Sequence, residues 1–215
     1  MKITIGYLYH DLLNLYGDSG NIKALEYHLK EQGIETIIKY MSINDKKEFD
    51  DVDILYIGSG TEENILTALN DLKKDKNELE NYIKNNKFIL STGNSVELFG
   101  NYIVSKEKIK TLGLFDYVSM HQKRIVKDVK TETNLINEKI IGFENHIGKI
   151  LTYDEDIIKI DNFYGTYILG PLLVRNPKFC SYLIKKLILS KDPNFKFKDE
   201  NYELDIKAYE KTVRI

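Results

Sequence analysis

The 215 residues of the chain are enough for one α/β domain with a well-buried core and too few for two of ordinary size. The 31 basic and 33 acidic residues nearly balance, so the net charge favours neither nucleic acid nor a membrane surface as a partner. No run of about 18 apolar residues predicts a helix that spans a membrane. We therefore expect a single domain over residues 1–215 that binds no nucleic acid and is not inserted in a membrane.

The single cysteine restricts the chemistry further. Cys180 excludes an intramolecular disulfide and any multi-cysteine metal site, and it fits a reducing compartment. It lies in an amphipathic pattern that begins near Pro177, with Phe179, Leu183 and Leu187 at helical spacing. We predict that Cys180 is a small core side chain and not a nucleophile, in a cytoplasmic protein that needs no metal or other cofactor.

The first half of the chain alternates strand and helix patterns, which is typical of a parallel sheet. The run "VDILYIG" is nearly all apolar, as expected for a strand that is buried on both faces. Gly33 is predicted to end the first helix. In chain order the predicted elements are a strand over 2–9, a helix over 22–32, strands over 35–41 and 52–58, a long helical stretch reaching about Asn86, and a strand over 87–91.

Beyond Gly113 the pattern changes to alternating apolar and polar residues, which predicts antiparallel or edge strands with one face in water. The segments concerned are "LFDYVSMH", "RIVKDVKTE" and "KIIGFENH". A turn-rich strand region over 162–177, the Cys180 helix and a last helix from Glu203 to about Lys211 complete the chain. The fold class predicted is α/β with three layers, in which a mostly parallel central sheet carries an antiparallel extension.

Three loops follow predicted parallel strands, and in an open sheet ligands bind at these carboxyl ends. The first loop, "NLYGDSGN", contains Asp18, Ser19 and Asn21 beside a helix start. These side chains are typical of helix caps, which satisfy the free N–H groups of the first turn, and they are equally placed to serve a site. Both interpretations remain open from the sequence.

The second loop contains Gly58, Ser59 and Gly60 directly after a buried strand. Glycines at such a point let backbone N–H groups converge on an oxygen atom, so this is a candidate oxyanion-binding loop. It is not a P-loop, because no Gly-Lys-Ser/Thr sequence follows. A lone G-x-G is weak evidence, and an oxyanion site needs a nucleophile nearby.

The third loop is the corner in "FILSTGNSVELFGNYI", where a strand runs through small residues into a helical pattern. In many α/β enzymes the apex of such a corner holds a nucleophile in a strained backbone conformation that costs about 1–3 kcal/mol. Here the apex falls at Gly93, which has no side chain. A glycine is expected where the shape of the corner is kept and its chemistry is not needed.

Together the motifs "LNLYGDSGN", "DILYIGSGT", "LGLFD", "IIGFENHIGK" and "GTYILGP" resemble the class I glutamine amidotransferases of the cobyric-acid-synthase-like (CobB/CobQ-like) type. The resemblance covers nearly the whole chain and is closest to the glutaminase subunit of lipid II isoglutaminyl synthase. It implies a three-layer, flavodoxin-like fold. It also implies a cysteine at the corner that attacks the glutamine amide, and a histidine base in the "GTY-x-x-GP" segment.

Both catalytic positions are replaced in this sequence. The match at the downstream Phe99 and Gly100 puts the nucleophile position at Gly93, and the "GTYILGP" match puts the base position at Leu169. Glycine and leucine offer neither a nucleophile nor a proton acceptor. We therefore predict that no residue of this chain is catalytic in the manner of the family.

Neighbouring side chains are poor substitutes for the missing pair. Ser91, Thr92 and Ser95 lie near the apex, but a hydroxyl nucleophile needs a positioned base. None of the histidines stands at the base position of the family. We expect one on the surface of the first helix, two at strand ends and one at a pocket rim; these are, in that order, His28, His10 and His121, and His146.

The resemblance also implies a substrate pocket near the corner. Glu97 stands where the family usually has glutamine, which weakens the case for a retained glutamine site. Arg124 matches an arginine near the substrate, although a residue of an edge strand can equally face solvent. The predicted pocket residues are Asn94, Glu97, Arg124, Asn145 and His146.

These expectations favour a catalytically degenerate amidotransferase subunit that acts as scaffold or regulator of a Mur-ligase-like partner. A second hypothesis is a stand-alone module that binds a glutamine-like or other small metabolite in the vacated pocket. A third is an active glutaminase that uses non-standard residues. The sequence does not decide between a scaffold and a sensor.

Overall fold

A computed structural model describes residues 1–199 and 202–214. The strands of this part of the chain are β1 (Lys2–Leu8), β2 (Glu35–Met41), β3 (Ile54–Ile57), β4 (Phe88–Thr92), β5 (Tyr102–Val104), β6 (Lys108–Lys110), β7 (Val118–Thr131), β8 (Ile140–Ile150), β9 (Ile158–Ile160) and β10 (Phe163–Thr166). Its α-helices are α1 (Ser19–Glu31), α2 (Glu62–Leu72), α3 (Lys76–Lys84), α4 (Leu172–Arg175), α5 (Pro177–Lys191) and α6 (Glu203–Val213), and 3-10 helices cover Lys73–Asp75 and Gly93–Phe99.

The central sheet has six strands in the order β2-β1-β3-β4-β10-β9, and every pair except β10 with β9 is parallel. Alternate residues of a strand point to opposite faces, and both faces of this sheet are covered. Ile3 and Ile5 of β1 belong to the core that contains residues of α1 and α5. Leu55 and Ile57 of β3 belong to the core that contains residues of α2 and α3. The predicted three-layer α/β fold is confirmed.

The second sheet is the predicted extension, with strands in the order β6-β5-β7-β8; its pairs are antiparallel except β5 with β7, which is parallel. Its main part is a long hairpin of β7 and β8, in which Ser119 pairs with Ile150 and Thr131 with Ile140. An irregularity in the register separates His121 from Ile125, so two segments that the sequence suggests as separate strands form one strand, β7. The short strands β5 and β6 were not predicted.

Helix boundaries differ from prediction in two places. The long helix predicted to reach Asn86 is two helices, because the 3-10 turn Lys73–Asp75 contains no buried residue whose packing would hold an α-helical turn. Helix α1 begins at Ser19, three residues early, and Gly33 beyond its end has the left-handed φ of +77° expected of a terminating glycine. No helix in residues 1–199 and 202–214 combines the length and apolar content that crossing a membrane requires.

Two predictions about single side chains have opposite outcomes. Cys180 is fully buried on α5, where Phe179 and Leu183 share its core. His28 is also buried, at 5% exposure, because its ring packs edge-on against Tyr202 with centroids 4.4 Å apart. The expectation that His28 lies on the surface of α1 is therefore wrong.

Candidate functional site

The corner between β4 and the following 3-10 helix has Gly93 at its apex. The φ of Gly93 is +68°, in the left-handed region that L-residues with a Cβ rarely adopt. The preceding residue, Thr92, is still extended, so the chain turns sharply within one residue. This is the backbone shape that holds out a nucleophile in enzymes with such a corner.

The space in front of the apex is occupied. A Cβ atom on Gly93 would lie 2.5 Å from Ser59 Cβ, 2.6 Å from Ser59 Oγ and 2.8 Å from Leu169 Cδ2. Contacts below 3.0 Å are not tolerated without movement. The side chains of Ser59 and Leu169 thus fill the volume that a side chain at Gly93 would need; we call this group the filled apex.

Leu169 is held in this place by the backbone. Its N–H donates to the carbonyl of Phe143 over 2.8 Å, and the N–H of Phe143 donates to the carbonyl of Leu169 over 3.2 Å. This isolated antiparallel bridge joins the "GFENH" segment of β8 to the "GTYILGP" segment after β10. Two motifs far apart in sequence therefore meet beside Gly93, and Leu169 is 2% exposed.

The glycine loop after β3 is tied to the corner by one side chain. The Oδ1 atom of Asn94 accepts bonds from the N–H of Gly60 and from Ser59 Oγ, both at 3.1 Å. The Nδ2 of Asn94 donates to the carbonyl of Gly60 over 2.8 Å. The backbone N–H of Gly60, in the candidate oxyanion loop, is therefore already hydrogen-bonded to Asn94. At Gly58 a Cβ would lie 2.4 Å from the carbonyl oxygen of Leu13, so only glycine fits there.

Asp18 of the first loop lies beneath the corner and does not cap α1. Its side chain makes no cap hydrogen bond. Instead Asp18 Oδ1 accepts bonds from Tyr56 Oη at 2.9 Å and Thr92 Oγ1 at 3.0 Å, and the residue is 2% exposed. Burial raises the pKa of the Asp18 carboxyl, while the bonds from Tyr56 and Thr92 oppose that rise. The capping interpretation is wrong for Asp18.

The other two predicted residues of the first loop are Asn21, which is buried, and Ser19, which is partly exposed. Asn21 is 1% exposed, donates from Nδ2 to Tyr56 Oη over 2.7 Å and accepts at Oδ1 from the N–H of Leu173. The backbone N–H of Ser19 donates to Asn14 Oδ1 over 2.9 Å. Asp18 and Asn21 thus belong to one buried network that supports β3 and β4 from below.

The hydroxyl groups near the apex are already bonded. Ser91 Oγ and Ser95 Oγ lie 2.8 Å apart, and Ser95 Oγ also donates to the carbonyls of Ile57 and Thr92. Thr92 Oγ1 donates to Asp18. In the part of the chain that the structure describes, no histidine nitrogen is within hydrogen-bond distance of these hydroxyls, so none of them forms a nucleophile-base pair.

Glu97 is a buried carboxylate with a partner that sequence reasoning missed. It is 2% exposed, and its Oε2 lies 2.7 Å from His121 Nε2. Tyr167 Oη donates to Glu97 Oε1 over 3.3 Å. The hydrogen bond with Glu97 raises the pKa of His121 above its ordinary value of 6.5. An acidic residue in the apolar run "SVELFG" was the available signal, because a buried charge needs a partner.

A cavity of about 240 Å³ lies beside this pair. Its polar lining residues are Glu62, Asn94, Glu97, Ser105 and His121, and the rest of the lining is isoleucine and one leucine. Of the predicted pocket residues, only Asn94 and Glu97 line it. In the described residues no group of three His, Cys, Asp or Glu side chains is arranged to hold a metal ion.

Arg124 and Asn145 lie at the edge of this cavity. Arg124 Nη2 donates to Glu62 Oε1 over 2.8 Å, and its Nη1 donates to Asn145 Oδ1 over 2.9 Å. Glu62 is a lining residue. Asn145 Nδ2 in turn donates to Tyr16 Oη over 2.7 Å. Although the Arg124 side chain is about half exposed, its hydrogen bonds to Glu62 and Asn145 hold it in place.

His146 does not line this cavity. Asn145 and His146 are successive residues of β8 and therefore point to opposite faces of the strand. His146 is 6% exposed and stacks on Tyr167, with ring centroids 4.0 Å apart and planes at 10°. It lines a different cavity, to which Tyr167 also contributes.

Comparison with known proteins agrees with this architecture. The sequence model of the CobB/CobQ-like glutamine amidotransferase domain matches residues 4–175. The chain is 27% identical to the lipid II isoglutaminyl synthase (glutamine-hydrolyzing) subunit GatD of Streptococcus pneumoniae, over 88% of this chain and 82% of that protein. It is 29% identical to the subunit of the same name from Staphylococcus aureus, over 96% and 93%.

Among solved structures, the chain is similar in fold to a chain of PurLQS from Thermotoga maritima. The TM-score is 0.54 at 17% sequence identity, over 89% of this chain and 99% of that one. At this identity the likeness concerns the fold alone.

Proposed function

Since the chain belongs to the CobB/CobQ-like glutamine amidotransferase family, we propose that it is a GatD-like subunit that no longer hydrolyses glutamine. In this proposal one domain over residues 1–215 acts as scaffold or regulator of a Mur-ligase-like partner in amidation of a cell-wall precursor. The names of both relatives support the role of a subunit. The proposed complex is cytoplasmic, where a buried thiol that forms no disulfide, such as that of Cys180, stays reduced.

The filled apex is the observation that carries the loss of activity. Covalent amide hydrolysis needs a nucleophile at the corner and a base within about 3 Å of it. Gly93 supplies no nucleophile, and the space for one is taken by Ser59 and by Leu169, which stands where a base is needed. The Gly60 N–H that would stabilise an oxyanion is bonded to Asn94. The replaced nucleophile, the replaced base and the occupied Gly60 N–H together support the proposed loss of glutamine hydrolysis.

The hydroxyl groups support this conclusion over an active glutaminase with non-standard residues. Ser91, Thr92 and Ser95 are buried and bonded to one another, to backbone carbonyls or to Asp18. A serine or threonine nucleophile needs a base that accepts its proton. These hydrogen bonds hold the three hydroxyl groups in place, and the groups thereby stabilise the corner.

The test compares nitrogen sources in the presence of the candidate ligase. This chain and a Mur-ligase-like protein encoded beside it are mixed with the ligase substrate, ATP and either glutamine or ammonium chloride. We expect amide product with ammonium, no product with glutamine, and no glutamate release by this chain alone or in the mixture. Glutamate release at a rate typical of glutamine amidotransferases would overturn the proposal.

A second candidate function is supported by the cavity beside Asn94, Glu97 and His121. Its volume of about 240 Å³ and its apolar walls with a buried carboxylate at one side suit a small metabolite with a polar head. A sensor would be stabilised by such a ligand, whereas a scaffold would be stabilised by its protein partner. Thermal unfolding with glutamine, glutamate and the ligase in parallel separates the two.

A further inference from the structure

Strand β2 forms one outer edge of the central sheet, where β1 is its only neighbour among the described strands. Two hydrogen bonds at the ends of this pairing show which backbone groups face β1: the N–H of Glu35 donates to the carbonyl of Met1, and the N–H of Tyr9 donates to the carbonyl of Met41. Since backbone groups alternate in direction along a strand, the odd-numbered residues of β2 bond to β1. The backbone groups that point away from the sheet belong to the even-numbered residues, Thr36, Ile38 and Tyr40.

These outward backbone groups have no hydrogen-bond partner in residues 1–199 and 202–214. The pairing of β2 with β1 is continuous from Glu35 to Met41, so no bulge twists the edge away. The strand also lacks proline, which would remove a donor. Its side chains are only partly covered, because Tyr40 is 59% exposed and Ile37 is partly exposed. A further strand can therefore pair with this edge.

The charges of β2 indicate which strand fits. Glu35 is exposed and pairs with no cation among the described residues. Lys39 pairs with Asp51 over 2.6 Å, but Asp51 is 62% exposed and an ammonium group has three donors, so a second carboxylate can reach Lys39. Glu35 and Lys39 lie at equal distances on either side of Ile37. If two β2 strands pair antiparallel with Ile37 opposite Ile37, Glu35 of each copy faces Lys39 of the other.

The same register satisfies the backbone. Opposite residues of an antiparallel pair exchange two hydrogen bonds when the backbone groups of both point toward the partner strand. With Ile37 on the two-fold axis, Thr36 of each copy lies opposite Ile38 of the other, and both have outward groups. The neighbouring register, with Ile38 on the axis, also pairs outward groups but places Lys39 opposite Ile37. Charge therefore selects the register centred on Ile37.

We propose that β2 is a dimer interface, at which it pairs antiparallel with β2 of a second copy about a two-fold axis at Ile37. The two six-stranded sheets then form one continuous sheet. A strand of seven residues buries less than the roughly 800 Å² per partner of a standard interface, so we expect a weak dimer with a Kd of about 10–100 µM. Two strands separate β2 from β4, so the dimer leaves the corner at Gly93 uncovered and does not depend on the proposed function.

The first test is sedimentation velocity of the full chain from about 5 to about 500 µM, a range that brackets the expected Kd. We expect the average mass to rise with concentration from the 25.1 kDa of one chain toward twice that value. A monomer at every concentration would overturn the proposal and leave the edge to a strand of another protein.

Charge variants test the pairing of Glu35 with Lys39. Glu35→Lys places two lysines opposite each other at both ends of the interface, and we expect the dimer to weaken roughly tenfold or more. Glu63→Lys is the matched control, because Glu63 is exposed on α2 and the change in net charge is the same. Equal effects of Glu35→Lys and Glu63→Lys on the dimer would contradict the proposed register.

Disulfide formation then identifies the residue on the axis. Opposite residues that exchange no hydrogen bonds have Cα atoms about 4.5 Å apart, which a disulfide can span, so Ile37→Cys should cross-link rapidly under mild oxidation. Tyr40→Cys is the control: Tyr40 is more exposed, yet its two copies lie about 20 Å apart in this register. Cys180 is fully buried and does not compete. Cross-linking of Tyr40→Cys as fast as that of Ile37→Cys would show that the register is wrong.

Discussion

The filled apex around Gly93 and the cavity beside the β7-β8 hairpin, which Glu144 and His146 line (the hairpin cavity), differ in how closely they are packed. At the apex, Asn94 occupies the Gly60 N–H, and Ser59 and Leu169 occupy the space. In the hairpin cavity His146 Nε2 lies 3.5 Å from Glu144 Oε2, and about 290 Å³ remains open. The comparison teaches that side-chain packing closes the corner at which the family has its nucleophile, whereas the region beside the hairpin keeps open space.

The largest expected effect comes from replacing the missing side chain at the apex. Gly93→Cys should destabilise the protein by about 2–4 kcal/mol, because left-handed strain and overpacking against Ser59 and Leu169 add together. Urea unfolding measures the loss. Gly17→Cys is the matched control: Gly17 has a φ of +74° but nothing within 4 Å of its Cβ position, so only the strain of about 1 kcal/mol applies.

The triple variant Gly93→Cys/Ser59→Gly/Leu169→Ala sharpens the same point. Removing both obstacles should recover much of the stability that Gly93→Cys loses, since the contacts responsible are gone. Equal destabilisation by Gly93→Cys and Gly17→Cys would mean that the apex is not filled in solution.

The Glu97–His121 pair beside the 240 Å³ cavity should show a pH-dependent effect. His121→Phe leaves Glu97 buried without a charged partner, with an expected cost of about 1–3 kcal/mol. The pKa of His121 is raised in the folded protein, so the stabilisation is complete below the ordinary value of 6.5 and is lost as pH rises through the raised pKa. The stability difference between wild type and variant should therefore shrink with increasing pH.

Denaturant unfolding from pH 5.5 to 9 measures this difference. Met120→Leu, at a residue that is 41% exposed on the same strand, controls for a general change in β7. A difference that is the same at every pH would exclude a charged His121 in the pair.

A smaller effect is expected at the tie between the apex and the glycine loop. Asn94→Ala removes two accepted bonds and one donated bond, and we expect a loss of about 1–2 kcal/mol. Hydrogen exchange should be faster at the Gly60 N–H than in wild type. Unchanged exchange at Gly60 would show that the loop is held by other contacts.

The smallest effect is expected at Arg124. Its ion pair with Glu62 joins two side chains that are each about half exposed, at 48% and 45%. Such pairs contribute about 0–1 kcal/mol, so Arg124→Ala should change stability by less than about 0.5 kcal/mol. A double-mutant cycle with Glu62→Ala measures the coupling between the two residues, and a value well above 1 kcal/mol would contradict a surface role.

The sequence predicted the layered fold well and the side-chain environment poorly. Buried strands and the glycine stop at Gly33 depend on local patterns, which a sequence displays directly. The surface position expected for His28 was wrong because the burial of His28 depends on Tyr202, which is far away in sequence. Asp18 resembled a helix cap, yet its carboxylate turns to Tyr56 and Thr92 across two strands.

By itself, the sequence determined the family resemblance, the corner and the absence of cysteine and histidine at Gly93 and Leu169. These are matters of residue identity and local spacing. Only the tertiary structure decided that Leu169 and Ser59 fill the space before Gly93, that His121 pairs with Glu97, and that His146 faces a cavity of its own. The physical reason is that volume and charge are balanced between side chains brought together by different strands, and no local pattern records which side chains will meet.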